Sequence, residues 1–313
     1  MNTTEEPFTV NTLEVQDRAK HWYSAIVTVQ VVLSVCTVAG NTLTVVAYFT
    51  TPHLQTVQNI PICNLSFADT TIAILATPFI MLNYTAAGLT FVSKHEWACL
   101  LSLWIVTGSI FCGMLSVLIL SLERTVAILF PYKYYNWVTE RSVRGIIMSI
   151  WIFAFTLSAI PLMGLNTWRY GARCFTMFVY YPTYNVYVTN TLHALTLLAV
   201  AVLNIAISVI VVKQNKVNIE PSGPTQNPGH YKVTKMLLTV VGVFYAGWIP
   251  YIVMTVIFTV SQQRPERFVL LHDFSKLIIG INSVLNPLIY ARGNEKFRSA
   301  FVRLLRLAPK IHS

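Results

Sequence analysis

Seven long apolar runs constrain the fold of this chain more than any other feature of its sequence. They cover residues 22–50, 58–84, 97–129, 143–164, 184–213, 233–260 and 268–291. A helix needs about 20 apolar residues to cross a hydrocarbon core of about 30 Å, and every run reaches that length. Only 11% of the residues are charged, against about 25% in an ordinary soluble domain. Because lipid offers no partner to open backbone groups, the runs predict an all-α membrane protein with seven spanning helices.

The basic residues are distributed unevenly between the two sides of such a bundle. With the N-terminus outside, eight of the 22 Lys and Arg residues fall on the outer side. They are Arg18, Lys20, Lys94, Arg169, Arg173, Arg264, Arg267 and Lys276. The other 14 fall on the inner side, and the positive-inside rule favours this orientation. We therefore expect a multi-pass protein of the plasma membrane with an extracellular N-terminus, and we expect no nucleic-acid partner.

The runs divide the chain into three segments. Residues 1–21 form an extracellular tail, in which "NTT" makes Asn2 a glycosylation acceptor. Residues 22–291 form the transmembrane domain. Residues 292–313 form an amphipathic helix and a short cytosolic tail. We expect Phe297, Phe301, Leu304 and Leu305 on one face of that helix, and the basic residues Lys296, Arg298, Arg303 and Arg306 largely elsewhere. Such a helix lies on an anionic leaflet, so membrane lipids are expected partners.

A few polar residues interrupt the apolar runs, and such residues are costly in lipid. They are Asn41 in the first span, Asp69 in the second, and Asn282, Ser283 and Asn286 in the seventh. A buried carboxylate needs a proton, a cation or several hydrogen bonds. The set predicts a site for a sodium ion, which favours oxygen ligands, as an allosteric modulator. The alternative is a protonated Asp69 in a structural network. We expect no other cofactor and no other metal.

The seventh span also contains a proline. Pro287 removes one helical hydrogen bond, so the span is expected to bend and to leave a carbonyl oxygen without its donor. Asn286 and Asn282 are the side chains expected to satisfy it.

Two cysteines lie on the outer side, Cys99 at the start of the third span and Cys174 in the loop after the fourth. A disulfide between them would hold that loop over the mouth of the bundle.

Seven short motifs occur in order on these spans. They are Gly40–Asn41, "LSFAD" ending at Asp69, the pair Cys99 and Cys174, "SLERTVAILFP" with Glu123 and Arg124, Trp151, "FYAGWIP" with Trp248 and Pro250, and "NPLIY" from Asn286 to Tyr290. Over residues 22–306 the chain resembles the rhodopsin-like (class A) G-protein-coupled receptors. The resemblance implies a receptor, not an enzyme, that binds an extracellular small molecule and activates a heterotrimeric G protein.

The resemblance also implies roles for individual residues. Those implied in activation or coupling are Glu123, Arg124, Tyr132, Trp248, Pro250, Pro287 and Tyr290. In the family the Glu123–Arg124 pair opens when spans five and six move outward, and the arginine then contacts the G protein. The chain departs from the family at Thr125, which replaces a tyrosine. It also departs at the base of span six, where His230, Lys232 and Lys235 stand and an acidic residue is missing. The second ionic lock of the family is therefore missing, which favours basal activity.

Within the family, the stretch from Tyr135 to Trp168 looks like adenosine receptors. The residues implied to contact a ligand are Val106, Thr107, Ile110, Phe175, His193, Trp248, Tyr251, Ile252, Thr255, Lys276 and Ile279. The alternative is an ion pair with Asp273 or a snorkelling amine for Lys276, an ordinary hydrogen bond for His193, and core packing for the others. Thr255 stands where adenosine receptors carry an asparagine, and Ile279 and Gly280 replace their serine–histidine pair. The specificity is thus predicted to be adenosine-like or orphan.

Other ligands and another class of protein remain open. Val106 stands where amine receptors carry an aspartate, which disfavours an amine. Lys276 could bind a small carboxylate or a lipid, or it could pair with Asp273. A transporter is the alternative class, but the sequence shows no internal repeat of the kind that many transporters carry.

Overall fold

A computed structural model describes residues 12–171, 173–217, 228–260 and 266–307. Seven helices within these ranges are long and apolar enough to cross a membrane. They are Trp22–Thr50, Val57–Leu82, Glu96–Leu129, Glu140–Ser158, Tyr184–Lys213, Thr234–Ile257 and Leu270–Gly293. We call them spans one to seven. They coincide with the seven predicted runs, and the all-α membrane fold is confirmed. Asn2 lies outside the described residues, so its glycosylation stays a prediction.

Most spans belong to longer helical elements. Their α-helices are Thr12–Thr50, Ile60–Thr71, Thr77–Leu82, Glu96–Leu129, Glu140–Ser158, Thr191–Val217, Pro228–Val260 and Glu266–Gly293. π-helical turns at Ile72–Ala76 and Tyr184–Asn190 complete spans two and five. The first of these turns precedes Pro78, which has no amide hydrogen to continue the ordinary ladder. The first helix thus begins inside the segment predicted as a tail.

Shorter helices connect or flank the spans. The α-helices are Ala86–Lys94, Pro131–Trp137, Thr176–Val179 and Glu295–Leu307, and the 3₁₀ turns are Pro52–Leu54, Val57–Asn59 and Ile160–Met163. Within the described ranges the one β pairing is an isolated bridge between Asn166 and Tyr180.

The main core cluster of the bundle takes buried side chains from all seven spans. Met114, Leu120, Phe244 and Tyr290 are among its buried side chains. Large apolar residues such as Phe49 and Ile152 are instead exposed on the outside of the bundle. That pattern is expected where lipid tails, which are as apolar as the core, surround the helices.

Two ends of the bundle are distinguished by their residues. We call one the disulfide end, because Cys99 and Cys174 are bonded there with their Cα atoms 5.6 Å apart. The predicted disulfide is confirmed. We call the other the Arg124 end. The loop from Gly164 to Cys174 lies across the disulfide end, where the amide of Gly171 donates to the carbonyl of Ser93 over 2.9 Å.

The amphipathic helix Glu295–Leu307 packs against the Arg124 end. Phe297 and Phe301 are buried, and Leu304 is partly buried in the same cluster. Leu305 is 60% exposed. It lies eight residues after Phe297, about 80° from it around the helix, at the edge of the buried face. Its contact with lipid stays a prediction. Arg303 donates to the hydroxyl of Thr51 over 2.8 Å and so fixes the helix to the end of span one.

Candidate functional site

A buried ion pair closes the Arg124 end of span three. Glu123 and Arg124 are bonded through both carboxylate oxygens, and their side chains are 3% and 5% exposed. The hydroxyl of Tyr134, from the helix Pro131–Trp137, donates to the same carboxylate. Burial and the neighbouring Glu123 raise the pKa of Tyr134 above its usual range, so the phenol stays a neutral donor at physiological pH. The charge of Glu123 is thus met by one cation and one hydroxyl.

Other contacts at this end tie the spans to one another. Asn204 of span five donates to the hydroxyl of Ser121 in span three over 2.7 Å. Met236 of span six packs directly on Gly293, where a Cβ atom would clash with its side chain. Tyr132 is 94% exposed and so lies on the surface beside the ion pair. Lys235 is exposed, and the side chains of His230 and Lys232 lie outside the described part of the chain.

A second buried cluster lies at mid-span. Each oxygen of Asp69 accepts one hydrogen bond, from the hydroxyl of Ser283 over 2.7 Å and from the amide of Asn286 over 2.8 Å. The side-chain oxygen of Asn41 is buried and has no hydrogen-bond partner among the described residues. The donor set fits a sodium ion, because a carboxylate, a hydroxyl and amide oxygens are the ligands that a hard cation prefers. Asp69, Ser283 and Asn286 would hold it.

The prediction that Asn286 and Asn282 satisfy the carbonyl released by Pro287 is wrong. That carbonyl belongs to Ser283, four residues earlier, and it accepts the amide of Asn41 over 2.9 Å. Asn282 instead donates to the carbonyl of Phe244 in span six over 3.3 Å. Its side chain fits there because residue 247 is a glycine, at which a Cβ atom would clash with it. Asn282 therefore links spans six and seven and makes no direct bond to Asp69.

A row of aromatic rings runs from mid-span toward the disulfide end. The ring centroids are 5.9 Å apart between Phe244 and Trp248, 5.8 Å between Trp248 and Tyr251, and 5.4 Å between Tyr251 and His272. Pro250 lies inside the same helix of span six.

At the opposite end of span seven, the ring of Tyr290 is fully buried against Phe297, with centroids 5.9 Å apart. Its hydroxyl has no hydrogen-bond partner within the described ranges. A movement of span seven would therefore break no hydrogen bond of this group.

Lys276 lies in an ion pair near the disulfide end. Its ammonium nitrogen is 2.9 Å from an oxygen of Asp273 and 3.3 Å from the hydroxyl of Tyr84. Tyr84 also donates to that Asp273 oxygen over 2.9 Å, and burial raises its pKa, so it stays a neutral donor. The Phe175 ring lies 5.1 Å from the ammonium. Of the two interpretations of Lys276, the pairing with Asp273 is the one present.

The other residues expected to contact a ligand lie close to these groups. Ile110, Tyr251, Ile252 and Ile279 pack against the main core cluster, which contains Trp248. Thr255 donates to the carbonyl of Tyr251 over 2.8 Å. Val106 is partly buried on span three. His193 and Thr107 line a separate cavity between spans three, four and five, where the ring of His193 lies 5.2 Å from that of Phe111.

Residues 40–290 match the profile of the 7 transmembrane receptor (rhodopsin family). The chain belongs to this family. The receptor is 26% identical over 306 residues to adenosine receptor A2b of Gallus gallus, with 89% of this chain and 87% of the relative covered. It is 24% identical to adenosine receptor A3 of Ovis aries, with 94% of each chain covered. It is 27% identical over 300 residues to adenosine receptor A2b of Homo sapiens, with 89% of each covered. The family confirms a receptor and excludes an enzyme.

Three residues of the receptor's sites were missed by sequence reasoning: Tyr134, Tyr180 and Tyr84. Tyr134 lies 11 residues after Glu123, and only the turn at Phe130 returns it to the carboxylate. Tyr180 lies in a loop, and its place beside Thr107 depends on how the disulfide holds that loop. A tyrosine in an aromatic-rich stretch gives no sequence signal for either contact. The third partner of Lys276, Tyr84, is 192 residues away along the chain.

Proposed function

We propose that this receptor binds an extracellular small molecule at the disulfide end and activates a heterotrimeric G protein at the Arg124 end. The observation that carries the proposal is the buried Glu123–Arg124 pair with its Tyr134 donor. An arginine that is 5% exposed is tolerated only while Glu123 compensates its charge, so loss of the pair would favour exposure of the guanidinium. Outward movement of spans five and six would uncover Arg124 for a G protein.

The mechanism is a shift of population between two arrangements. A ligand that contacts span six or seven more favourably in the open arrangement stabilises that arrangement by its difference in affinity. The aromatic row from His272 to Phe244 and the Asn282 bond to Phe244 give a continuous path from the disulfide end to mid-span. Asp69, with its sodium ion, would favour the closed arrangement from the other side of span seven.

The orientation is part of the same proposal. The Arg124 end carries Lys133, Arg144, Arg292 and the basic helix Glu295–Leu307, and basic residues favour the cytosolic side. We place residues 1–21 outside, residues 22–291 across the membrane and residues 292–313 in the cytosol. Labelling of an epitope at each terminus on intact cells tests this. The N-terminal epitope should react without permeabilisation and the C-terminal epitope only after it.

The ligand that we propose first is an uncharged, adenosine-like molecule. The relatives named above are adenosine receptors, and Asp273 already neutralises Lys276, so an anion would have to compete with a bonded carboxylate. A small carboxylate is the second candidate. It is supported by the Lys276 side chain, which is 28% exposed while that of Asp273 is 6% exposed. Such a ligand would exchange places with Asp273.

Reconstitution with a heterotrimeric G protein tests the function. The receptor in lipid nanodiscs should accelerate nucleotide exchange on the G protein, first alone and then with adenosine or a panel of small carboxylates. Liposomes that contain the receptor should show no flux of the same compounds. Flux without exchange would favour a transporter. If a carboxylate acts, Lys276→Gln should abolish its effect, whereas an adenosine response should persist.

A further inference from the structure

The disulfide loop places a tyrosine inside the bundle. Tyr180 is 2% exposed, and its hydroxyl lies 3.3 Å from the hydroxyl oxygen of Thr107 on span three. Two contacts hold the backbone there: the isolated bridge to Asn166, and the bond from the amide of Thr167 to the carbonyl of Val179 over 2.7 Å. Cys174, six residues earlier, fixes the start of the segment to span three. The ring is therefore held from both sides.

The space around this ring is almost completely filled. Tyr180, Thr107, Phe111 and His193 are among the residues that line a cavity of about 10 Å³ between spans three, four and five. That volume accommodates about one water molecule. Thr107 and His193 are two of the residues that the family resemblance implies as ligand contacts. The phenol of Tyr180 thus occupies the position beside them that a soluble ligand would take.

The ring and the hydroxyl of Tyr180 each contact groups that match them in the cavity beside Thr107. The ring packs edge-on against Tyr184, with centroids 5.6 Å apart, and it belongs to the apolar cluster around the disulfide. Its hydroxyl lies 3.3 Å from the Thr107 hydroxyl oxygen, which itself donates to the carbonyl of Leu103 over 2.7 Å and is therefore free to accept from the phenol. Burial raises the pKa of Tyr180 above its usual range, so the group is uncharged. The subsite therefore accepts a flat ring that carries one neutral hydrogen-bonding group.

We propose that Tyr180 is a built-in occupant of this subsite, that it stabilises the closed arrangement of the receptor, and that a soluble ligand with a phenol-sized ring competes with it. The inference rests on the proposed function, because it concerns the same receptor equilibrium. The closed arrangement is the one in which Glu123 and Arg124 are paired, and Tyr180 occupies the subsite in that same structure.

The link between the two ends follows from which spans are joined. Tyr180 pairs with Thr107 of span three and lines the same cavity as His193 of span five. The ring contact between Phe111 and His193 and, nearer the Arg124 end, the bond from Asn204 to Ser121 join the same two spans. Removal of the Tyr180 ring would leave these two contacts but would enlarge the cavity between the spans and ease the movement of span five from span three. The open arrangement would then be more populated.

Tyr180→Ala with phenol as the probe tests the proposal, because alanine keeps the Cβ atom and phenol restores the lost group. Receptor in nanodiscs is compared with the variant for thermal unfolding and for basal nucleotide exchange. We expect phenol to raise the unfolding midpoint of the variant but not that of the wild type. We expect basal exchange of the variant to be about fivefold higher, as is typical of a coupling of this kind, and phenol to lower it. Benzene, which lacks the hydroxyl, should act more weakly.

The phenol-binding and basal-exchange measurements can each contradict the inference. An equal effect of phenol on the variant and the wild type, or none on either, would show that Tyr180 does not fill a binding subsite. Unchanged basal exchange in a variant that binds phenol would show that the ring does not hold the closed arrangement. The phenol-binding measurement needs no G protein, so it separates this inference from the proposed function.

Two milder variants keep the test valid if Tyr180→Ala does not reach the membrane. Tyr180→Phe and Thr107→Val remove the same hydrogen bond from its two sides. Both should raise basal exchange by a similar, smaller factor, and the double variant should add little to either. Unchanged exchange in both would contradict the inference. Tyr181→Phe, a change at the exposed neighbouring residue, is the matched control.

Discussion

Asn41 donates its side-chain amide to the carbonyl oxygen of Ser283 over 2.9 Å, across the interface between spans one and seven. This carbonyl is the one that Pro287 leaves without a helical donor, because proline has no amide hydrogen. Pro287 also packs on Gly40, the neighbour of Asn41, at which a Cβ atom would come within 3.0 Å of the proline ring. In span one, Gly40 therefore leaves space for the ring of Pro287, and Asn41 satisfies the carbonyl that this proline leaves without a donor.

Asn41→Ala should reduce stability by about 1–3 kcal/mol, the usual cost of a buried polar group that loses its partner. The carbonyl of Ser283 would be left unsatisfied in the core. Thermal unfolding of the purified receptor measures the effect. In a Pro287→Ala background residue 287 regains its amide, so the same change should cost less. An equal cost in both backgrounds would contradict the relationship.

The sequence was sufficient to predict the seven spans and the polar side chains within them. It was not sufficient to predict which of these side chains bond to one another. Apolar length alone located all seven spans, because lipid requires it. The need of Ser283 for a donor was also foreseeable from Pro287. Which side chain supplies it was not, because Asn41, Asn282 and Asn286 are chemically equal donors. Only the packing of span one on span seven, and the space at Gly247 for Asn282, decide between them.

Tyr134→Phe should raise basal nucleotide exchange, because Glu123 loses one donor and the closed pair is weakened. A hydrogen bond to a charged group contributes about 1.5–3 kcal/mol. Tyr135→Phe is the matched control, since Tyr135 is 78% exposed. Exchange that rises equally in both variants would show that the bond to Glu123 has no part in closure.

The pH dependence of this effect follows from the raised pKa of Tyr134. A phenol with a raised pKa keeps its proton as the pH rises through its ordinary value of about 10. Its hydrogen bond to Glu123 is therefore still present at about pH 10, where an ordinary phenol is half ionised. The ratio of basal exchange between Tyr134→Phe and the wild type should be constant from about pH 7 to about pH 10. A ratio that falls toward one as the pH rises would contradict the assignment.

Replacement of Cys99 and Cys174 by serine should lower the unfolding midpoint strongly. The disulfide joins residues 75 positions apart, and a loop of that length corresponds to about 4 kcal/mol in the chain-entropy account. The same change should release the segment that carries Tyr180 and raise basal exchange. Cys36→Ser, at an exposed free cysteine, should change neither quantity. A double variant as stable as the wild type would show that other contacts hold the loop.

Asp69→Asn should abolish the response of basal exchange to sodium. The amide that replaces the carboxylate can still accept a hydrogen bond from Ser283, but it carries no charge to hold a cation. Basal exchange of the wild type, measured with sodium chloride against choline chloride, should be lower in sodium. Asp273→Asn, at a second buried aspartate, should leave this difference intact. An equal response to sodium in Asp69→Asn and the wild type would show that sodium does not act at Asp69.

Basal nucleotide exchange in the variant Arg124→Ala tests the central claim most directly, because it requires no knowledge of the ligand. The wild-type receptor in nanodiscs should accelerate exchange on a heterotrimeric G protein, and the variant should lose at least about tenfold of that rate. Arg144→Ala, at an exposed arginine paired with Glu140 on the same side, controls for charge and should retain it. A variant Arg124→Ala that drives exchange as fast as the wild type would contradict the claim that this buried arginine is what the receptor presents to its G protein.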